Sequence, residues 1–118
     1  DLSEEKIIAG ARDPESGNFL NTCEYLLSGS YVPTNFIDNT TIGVVATNAR
    51  LTKEQAHKLA SISHNGLALA IRPVHTMVDG DTMFALSTGE KDGDMLTIGC
   101  AAVKVTAQAI ANAILFSS

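Results

Sequence analysis

At 118 residues the chain has room for one domain by the usual size relation. Its 45% apolar content excludes a disordered chain. A net charge of −5, with the Lys and Arg residues scattered, gives no electrostatic support for a nucleic-acid or anionic-membrane partner.

The chain opens at Asp1 without a methionine and reads at once as mid-domain sequence, so it is expected to be a processed or truncated piece of something longer. A charged lead-in is followed by Ile7-Ile8-Ala9-Gly10, read as a strand or strand end. The turn formers Asp13-Pro14-Glu15-Ser16-Gly17-Asn18 come next. Residues 19–38 hold most of the aromatics without a clean period and read as an ordered, irregular connector, with a helical turn at Tyr25-Leu26-Leu27 that Gly29 ends. Cys23 here and Cys100 later have neither metal-site spacing nor a disulfide framework. They are expected to be free, buried thiols in a reducing compartment, with the cytoplasm as the location.

Thr41 to Asn48 is a β-branched apolar run, predicted to be a strand buried on both faces. Gly43 inside it predicts close approach of another backbone or a ligand. Thr52-Lys53-Glu54-Gln55 is a capping box that opens a helix over about 53–71, stopped by Arg72-Pro73, with Gly66 permitting tight packing. A second core strand covers 82–88, and Glu90 to Asp94 is a solvated turn. Small residues recurring at three and four predict a thin helix from about Thr97 to Phe116. Lys104, Thr106, Gln108 and Asn112 interrupt it, so no membrane span is expected. The order strand, helix, strand, helix fits a layered α/β arrangement.

The chemistry concentrates at two strand heads. Asp38-Asn39 runs straight into the first strand, so Thr40 stands where a loop ends and a buried strand begins. A nucleophile can be held rigidly there with one side open. Breakage of the Asn39–Thr40 bond leaves Thr40 with a hydroxyl and its own α-amine as base. Taken alone the dipeptide is weak evidence, since Asn-Thr is common and most strands begin with something polar, so an ordinary strand start is the leading reading of these two residues. Asp79-Gly80-Asp81 heads the second strand between apolar flanks. Two carboxylates two apart on a strand start would lie close together, raising one pKa or demanding a cationic partner, and a plain β-turn is the other reading. The ligands of a calcium loop are missing, and His57, His64 and His75 show no metal spacing, so no metal or other cofactor is expected. His57 and His64 are read as solvent-facing positions on the helix.

Asn39-Thr40-Thr41-Ile42-Gly43-Val44-Val45-Ala46-Thr47-Asn48-Ala49 and Asp79-Gly80-Asp81-Thr82-Met83-Phe84-Ala85-Leu86-Ser87-Thr88-Gly89 resemble the self-processing family of L-aminopeptidase/D-esterases, β-peptidyl aminopeptidases and nylon-oligomer hydrolases. Ile7 to Arg12 resembles that family's segment ahead of the cleavage site. The Asn-Thr junction, with Asp-Gly-Asp about forty residues on, is most similar to the nylon-oligomer hydrolase branch. The aminopeptidase branch usually has Ser as nucleophile.

The resemblance implies part of an αββα sandwich of the N-terminal-nucleophile type, completed by a missing N-terminal portion. Residues 1–39 would close the α-chain and lead to the cleavage site, and 40–118 would form the β-chain. Thr40 would be the nucleophile, Asn39 would give up its peptide bond, and Asp79 and Asp81 would match the acidic pair that positions and activates the nucleophile. The family's further site residues, a Lys and an Asn, would lie upstream on a companion polypeptide, the α/β units assembling as homo-oligomers.

The expected function is an autoprocessed threonine amidohydrolase acting on a peptide or other small linear amide. A non-catalytic remnant that binds small amides or a partner, and an acyltransferase using the same nucleophile, are the alternatives. No residue here identifies the substrate.

Overall fold

The structure, a computed structural model, describes residues 6–30 and 39–117. The elements run α1 (Thr22–Leu27), β1 (Ile42–Ala49), α2 (Lys53–Ala70), β2 (Thr82–Lys91) and α3 (Met95–Leu115). The 31–38 half of the irregular connector lies outside the described residues.

Among the described residues ahead of β1, the Asp13–Asn18 turn and α1 are held by local bonds. The Ile7-Ile8-Ala9 segment is not a strand; instead, a single antiparallel bridge joins Arg12 to Phe19 and closes the Asp13–Asn18 turn. Three consecutive apolar residues with no neighbouring strand cannot satisfy a ladder, and the described residues provide none. Asn21 caps α1 through the Glu24 amide, and the helix ends at Ser28 and Gly29, as the sequence predicted.

The β1–α2–β2 segment is a parallel crossover. β1 pairs with β2 from Ile42↔Thr82 to Thr47↔Ser87, and the register then shifts, with Ala49 opposite Lys91. Gly89, at φ 72, takes up the extra residues on β2. The capping box forms as predicted: Thr52 Oγ1 accepts from the Gln55 amide and Gln55 Oε1 accepts from the Thr52 amide. Asp94, read as part of a turn, caps α3 by accepting from the Thr97 amide and hydroxyl, both at 2.8 Å.

The core lies between one sheet face and the helices. Val45 and Met83 on the sheet meet Leu59 and Leu67 of α2 and Ala102 of α3, all buried. Contrary to expectation, β1 is buried on one face only, with Ile42 70% and Val44 64% exposed. Phe84 and Leu86 continue this apolar surface on β2. A parallel sheet normally has both faces covered, and here one layer of helices covers one face. The described residues therefore form a two-layer α/β unit. Gly43 meets the Met83 side chain rather than another backbone: a Cβ there would lie 2.6 Å from Met83 Sδ.

Two further expectations are corrected. Cys100 is exposed and Cys23 half-buried, both free, because α3 buries Gly99 and Ala102 rather than Cys100. α3 is also long and apolar enough to cross a membrane by length and composition, since coiling a 21-residue segment leaves Lys104 its only charge. In this fold its small residues instead face α2. Gly66 of α2 lies against Val103 and Thr106, and Gly99 of α3 against Ile62.

A Cβ at Gly66 would stand 2.6 Å from Thr106 Cβ and 2.7 Å from the Val103 carbonyl oxygen, so the helices would have to separate. Overpacking of this kind costs about 1–3 kcal/mol, against a helix-propensity gain of about 1 kcal/mol for Ala over Gly. Gly66→Ala is expected to lower the unfolding free energy of the full-length protein by up to about 2 kcal/mol, read as a lower denaturant midpoint at unchanged slope.

Candidate active site

Because β1 and β2 are parallel, their N-terminal ends open at the same edge of the sheet. Extending the pairing back from Ile42↔Thr82 sets Thr41 beside Asp81 and Thr40 beside Gly80. Thr41, the residue after Thr40, is held at both its amide and its carbonyl. The Thr41 amide donates to Asp81 Oδ1 at 2.9 Å, and the Thr41 carbonyl accepts from the Thr82 amide at 2.9 Å.

Thr40 itself is exposed, with its hydroxyl on the side of Gly80. A Cβ at Gly80 would lie only 3.2 Å from Thr40 Oγ1, so the glycine keeps that approach open. Asn39 is exposed ahead of it.

The acidic pair divides into two different structures. Asp79 precedes β2, and strand geometry does not apply to it. Its Oδ2 accepts from both the amide and the hydroxyl of Thr76 at 2.8 Å, and its own amide donates back to the Thr76 carbonyl at 3.2 Å. The Thr76 amide, then the Thr76 hydroxyl, hold the Asp79 carboxyl below the usual carboxylate range, the opposite of a raised pKa. Asp81 heads the strand proper, and its side chain is only 6% exposed. One of its oxygens anchors Thr41, and the other stands 3.5 Å from His75 Nδ1.

His75 and Gly80 are site residues that the sequence reading left out. Gly80 was visible inside Asp-Gly-Asp as the smallest residue between the two acids. His75 carried no comparable signal, because its approach to Asp81 depends on the path of the whole 71–81 connection. His64 is half-buried beside His75 rather than solvent-facing, whereas His57 is exposed as read. Among the described residues, no cluster of three His, Cys, Asp or Glu side chains is placed to hold a metal ion.

An open apolar groove of about 540 Å³ begins at Thr41 and runs along β1 to α3, lined by Gly43, Val45, Val105, Ala109 and Ile114 among others. A rigid hydroxyl at a strand head, with open space on one side and an apolar groove starting one residue away, can deliver a nucleophile to an acyl group.

The family model for peptidase family S58 matches residues 5–118. The chain belongs to peptidase family S58. An uncharacterized aminopeptidase of Mycobacterium tuberculosis is 55% identical over 51 residues, 43% of this chain and 15% of that protein. Its counterpart in Mycobacterium leprae is 57% identical over 51 residues, 43% of this chain and 14% of that protein. A 6-aminohexanoate-oligomer endohydrolase of Paenarthrobacter ureafaciens is 38% identical over 60 residues, 51% of this chain and 17% of that protein. The matched stretches thus span about a sixth of these relatives' length. The resemblance read from the two strand heads holds at family level, and relatives named for aminopeptidase and for oligomer hydrolase both match this S58 chain.

The sign of the Asp79 shift gives a test. A carboxyl held below its unfolded value of 3.8 contributes stability that is present above that value and lost as pH falls through the lower, folded pKa. The Thr76 amide proton resonance is therefore expected to move with a midpoint below 3.8 and to stop titrating in Asp79→Ala. A midpoint at or above 3.8 would refute the anchoring.

Proposed function

We propose that this chain carries the nucleophile of a self-processing amidohydrolase, cleaved between Asn39 and Thr40 and acting on peptide or other linear amide bonds. The observation that carries the reading is the clamped strand head. The Thr41 peptide is pinned by Asp81 and Thr82, while the Thr40 hydroxyl stands free against Gly80. Membership of peptidase family S58, and relatives named aminopeptidase and 6-aminohexanoate-oligomer endohydrolase, support hydrolysis of an amide.

Self-cleavage begins with Thr40 Oγ1 attacking the Asn39 carbonyl carbon. The C–N bond to Thr40 breaks, the nitrogen takes up the hydroxyl proton, and the Asn39 acyl group passes to oxygen as an ester. The shift leaves the α-amine of Thr40 free, and water then hydrolyses the ester to release the Asn39 carboxylate and restore the hydroxyl. An α-amine has an ordinary pKa of about 7.7–8.0, so it can accept the hydroxyl proton near neutrality. The same oxygen then attacks a substrate amide, the amine proton goes to the leaving nitrogen, and water releases the acid from the ester. The Thr methyl restricts χ1 and keeps the oxygen aimed. Asp81 acts by holding the peptide that follows the nucleophile, and Asp79 by fixing the turn that carries Gly80 and Asp81.

On this reading a companion polypeptide supplies the second half of an αββα sandwich. Ile42, Val44, Phe84 and Leu86 form the uncovered apolar face that such a layer would bury.

Intact mass of the purified protein tests the reading directly. Wild type is expected as two species meeting at Asn39/Thr40. Thr40→Ala is expected as one uncut species, with amide hydrolysis reduced by more than roughly a thousandfold. Thr40→Ser keeps both activities. A wild type that stays uncut and inactive would point to the non-catalytic binding module. Product formed on an added amine rather than on water would point to acyl transfer.

A further inference from the structure

We propose that His75 is a positioning residue for the nucleophile, acting through Asp81; the proposal rests on the reading of Thr40 as the nucleophile. Asp81 can hold the Thr41 amide only if its carboxylate plane is fixed, because one hydrogen bond to Oδ1 leaves rotation about the Cβ–Cγ bond open. The second oxygen supplies that constraint, and His75 Nδ1 is the group that faces it, at 3.5 Å.

The imidazole is itself tied to the helical layer. His75 Nε2 lies 3.4 Å from the His64 carbonyl oxygen on α2, and the two imidazole rings stand 5.0 Å apart at a tilt of 57°. His75 adopts φ 56, a left-handed backbone that aliphatic and β-branched residues disfavour. A connected path therefore runs from α2 through His75 to Asp81, and from Asp81 to the peptide that follows Thr40.

Both ring nitrogens face oxygen. The neutral tautomer with hydrogen on Nδ1 serves Asp81, and the cation, with hydrogen on both nitrogens, serves Asp81 and the His64 carbonyl together. The ionisable groups around the ring are His64 from α2, Asp79 from the same connection, and Asp81. Replacing the donor leaves Asp81 buried with one oxygen unsupported. The carboxylate can then turn, and the Thr41 peptide loses its fixed position.

Three substitutions separate the side chain's role from the backbone's, because Asn, Gly and Asp all tolerate the left-handed conformation. In His75→Asn the amide nitrogen lies the same number of bonds from Cα as Nδ1 and can donate to Asp81. His75→Gly removes the donor, and His75→Asp sets a second carboxylate against the first. In the full-length protein, the rate of cleavage at Asn39/Thr40, followed by intact mass, is expected to stay within about threefold of wild type for Asn. It is expected to fall at least tenfold for Gly and further for Asp. In substrate hydrolysis the loss is expected in kcat, with KM little changed. Equal rates for Asn, Gly and Asp would overturn the proposal, since that is the result of a purely structural turn. If His75→Gly fails to fold, the isosteric pair Asn and Asp decides the matter alone. A wild type that never cleaves overturns the reading of Thr40 and this role with it. A wild type that cleaves alongside an equally fast His75→Gly overturns only the role of His75.

Discussion

Parallel pairing of β1 with β2, in the register Ile42↔Thr82, is the constraint on which the site depends. It brings two stretches about forty residues apart to one sheet edge, and it decides which residues meet there. A slip of one residue would exchange the inward and outward faces of the strand. Val45 would leave the core, Val44 would enter it, and the Thr41 amide would no longer face Asp81. The buried faces of Val45 and Met83 against Leu59 and Leu67 therefore hold the register, and the register holds the site. The geometry of the candidate site is a consequence of core packing at a distance.

The crossover that imposes this register is specified locally at several points. The reciprocal Thr52–Gln55 cap fixes where α2 begins, and Asp94 does the same for α3. Small residues let α2 and α3 approach until Gly66 touches Thr106, which aligns the helical layer over the sheet. At the far end, Ser87 donates to the Ala49 carbonyl at 2.6 Å and Arg50 pairs with Asp92, so the shift in register falls away from the site. The regular part of the ladder, 42–47 against 82–87, is the part adjacent to Thr40.

What was legible in the sequence was whatever a local pattern encodes. The capping box placed α2 to within a residue, and the β-branched run from Ile42 and the apolar run after Asp81 located both strands. Strand heads with polar residues against apolar flanks pointed to Thr40, Asp79 and Asp81 as candidates, and the register sets Thr40 and Asp81 at one end of the sheet. Three things were not legible, each because it depends on a neighbour far along the chain. Alternation of burial on β1 was hidden, since Ile42 and Val44 are as apolar as Val45, and only the absence of a covering layer from the described residues distinguishes them. The division of labour between Asp79 and Asp81 was hidden because one sits in a Thr76-closed turn and the other on the strand. His75 was hidden because a lone histidine after a proline has no period or spacing to betray it.

A nucleophile that carries its own base asks little of its surroundings. The α-amine and the hydroxyl of an N-terminal threonine share one Cα, so their mutual geometry is covalent and needs no third side chain to bring them together. What the fold must supply is aim, and aim is a property of the peptide on the other side of that Cα. On the proposed reading the hold on Thr41 sits where it has most leverage, at the residue after the nucleophile, and it leaves the hydroxyl face free for an acyl group. On that reading the alignment of the nucleophile and the covering of the sheet are separate tasks. Alignment comes from β1, β2 and the 71–81 connection, all within this chain. On the same reading, enclosure of the substrate would fall to a second layer over the exposed face of Ile42, Val44, Phe84 and Leu86.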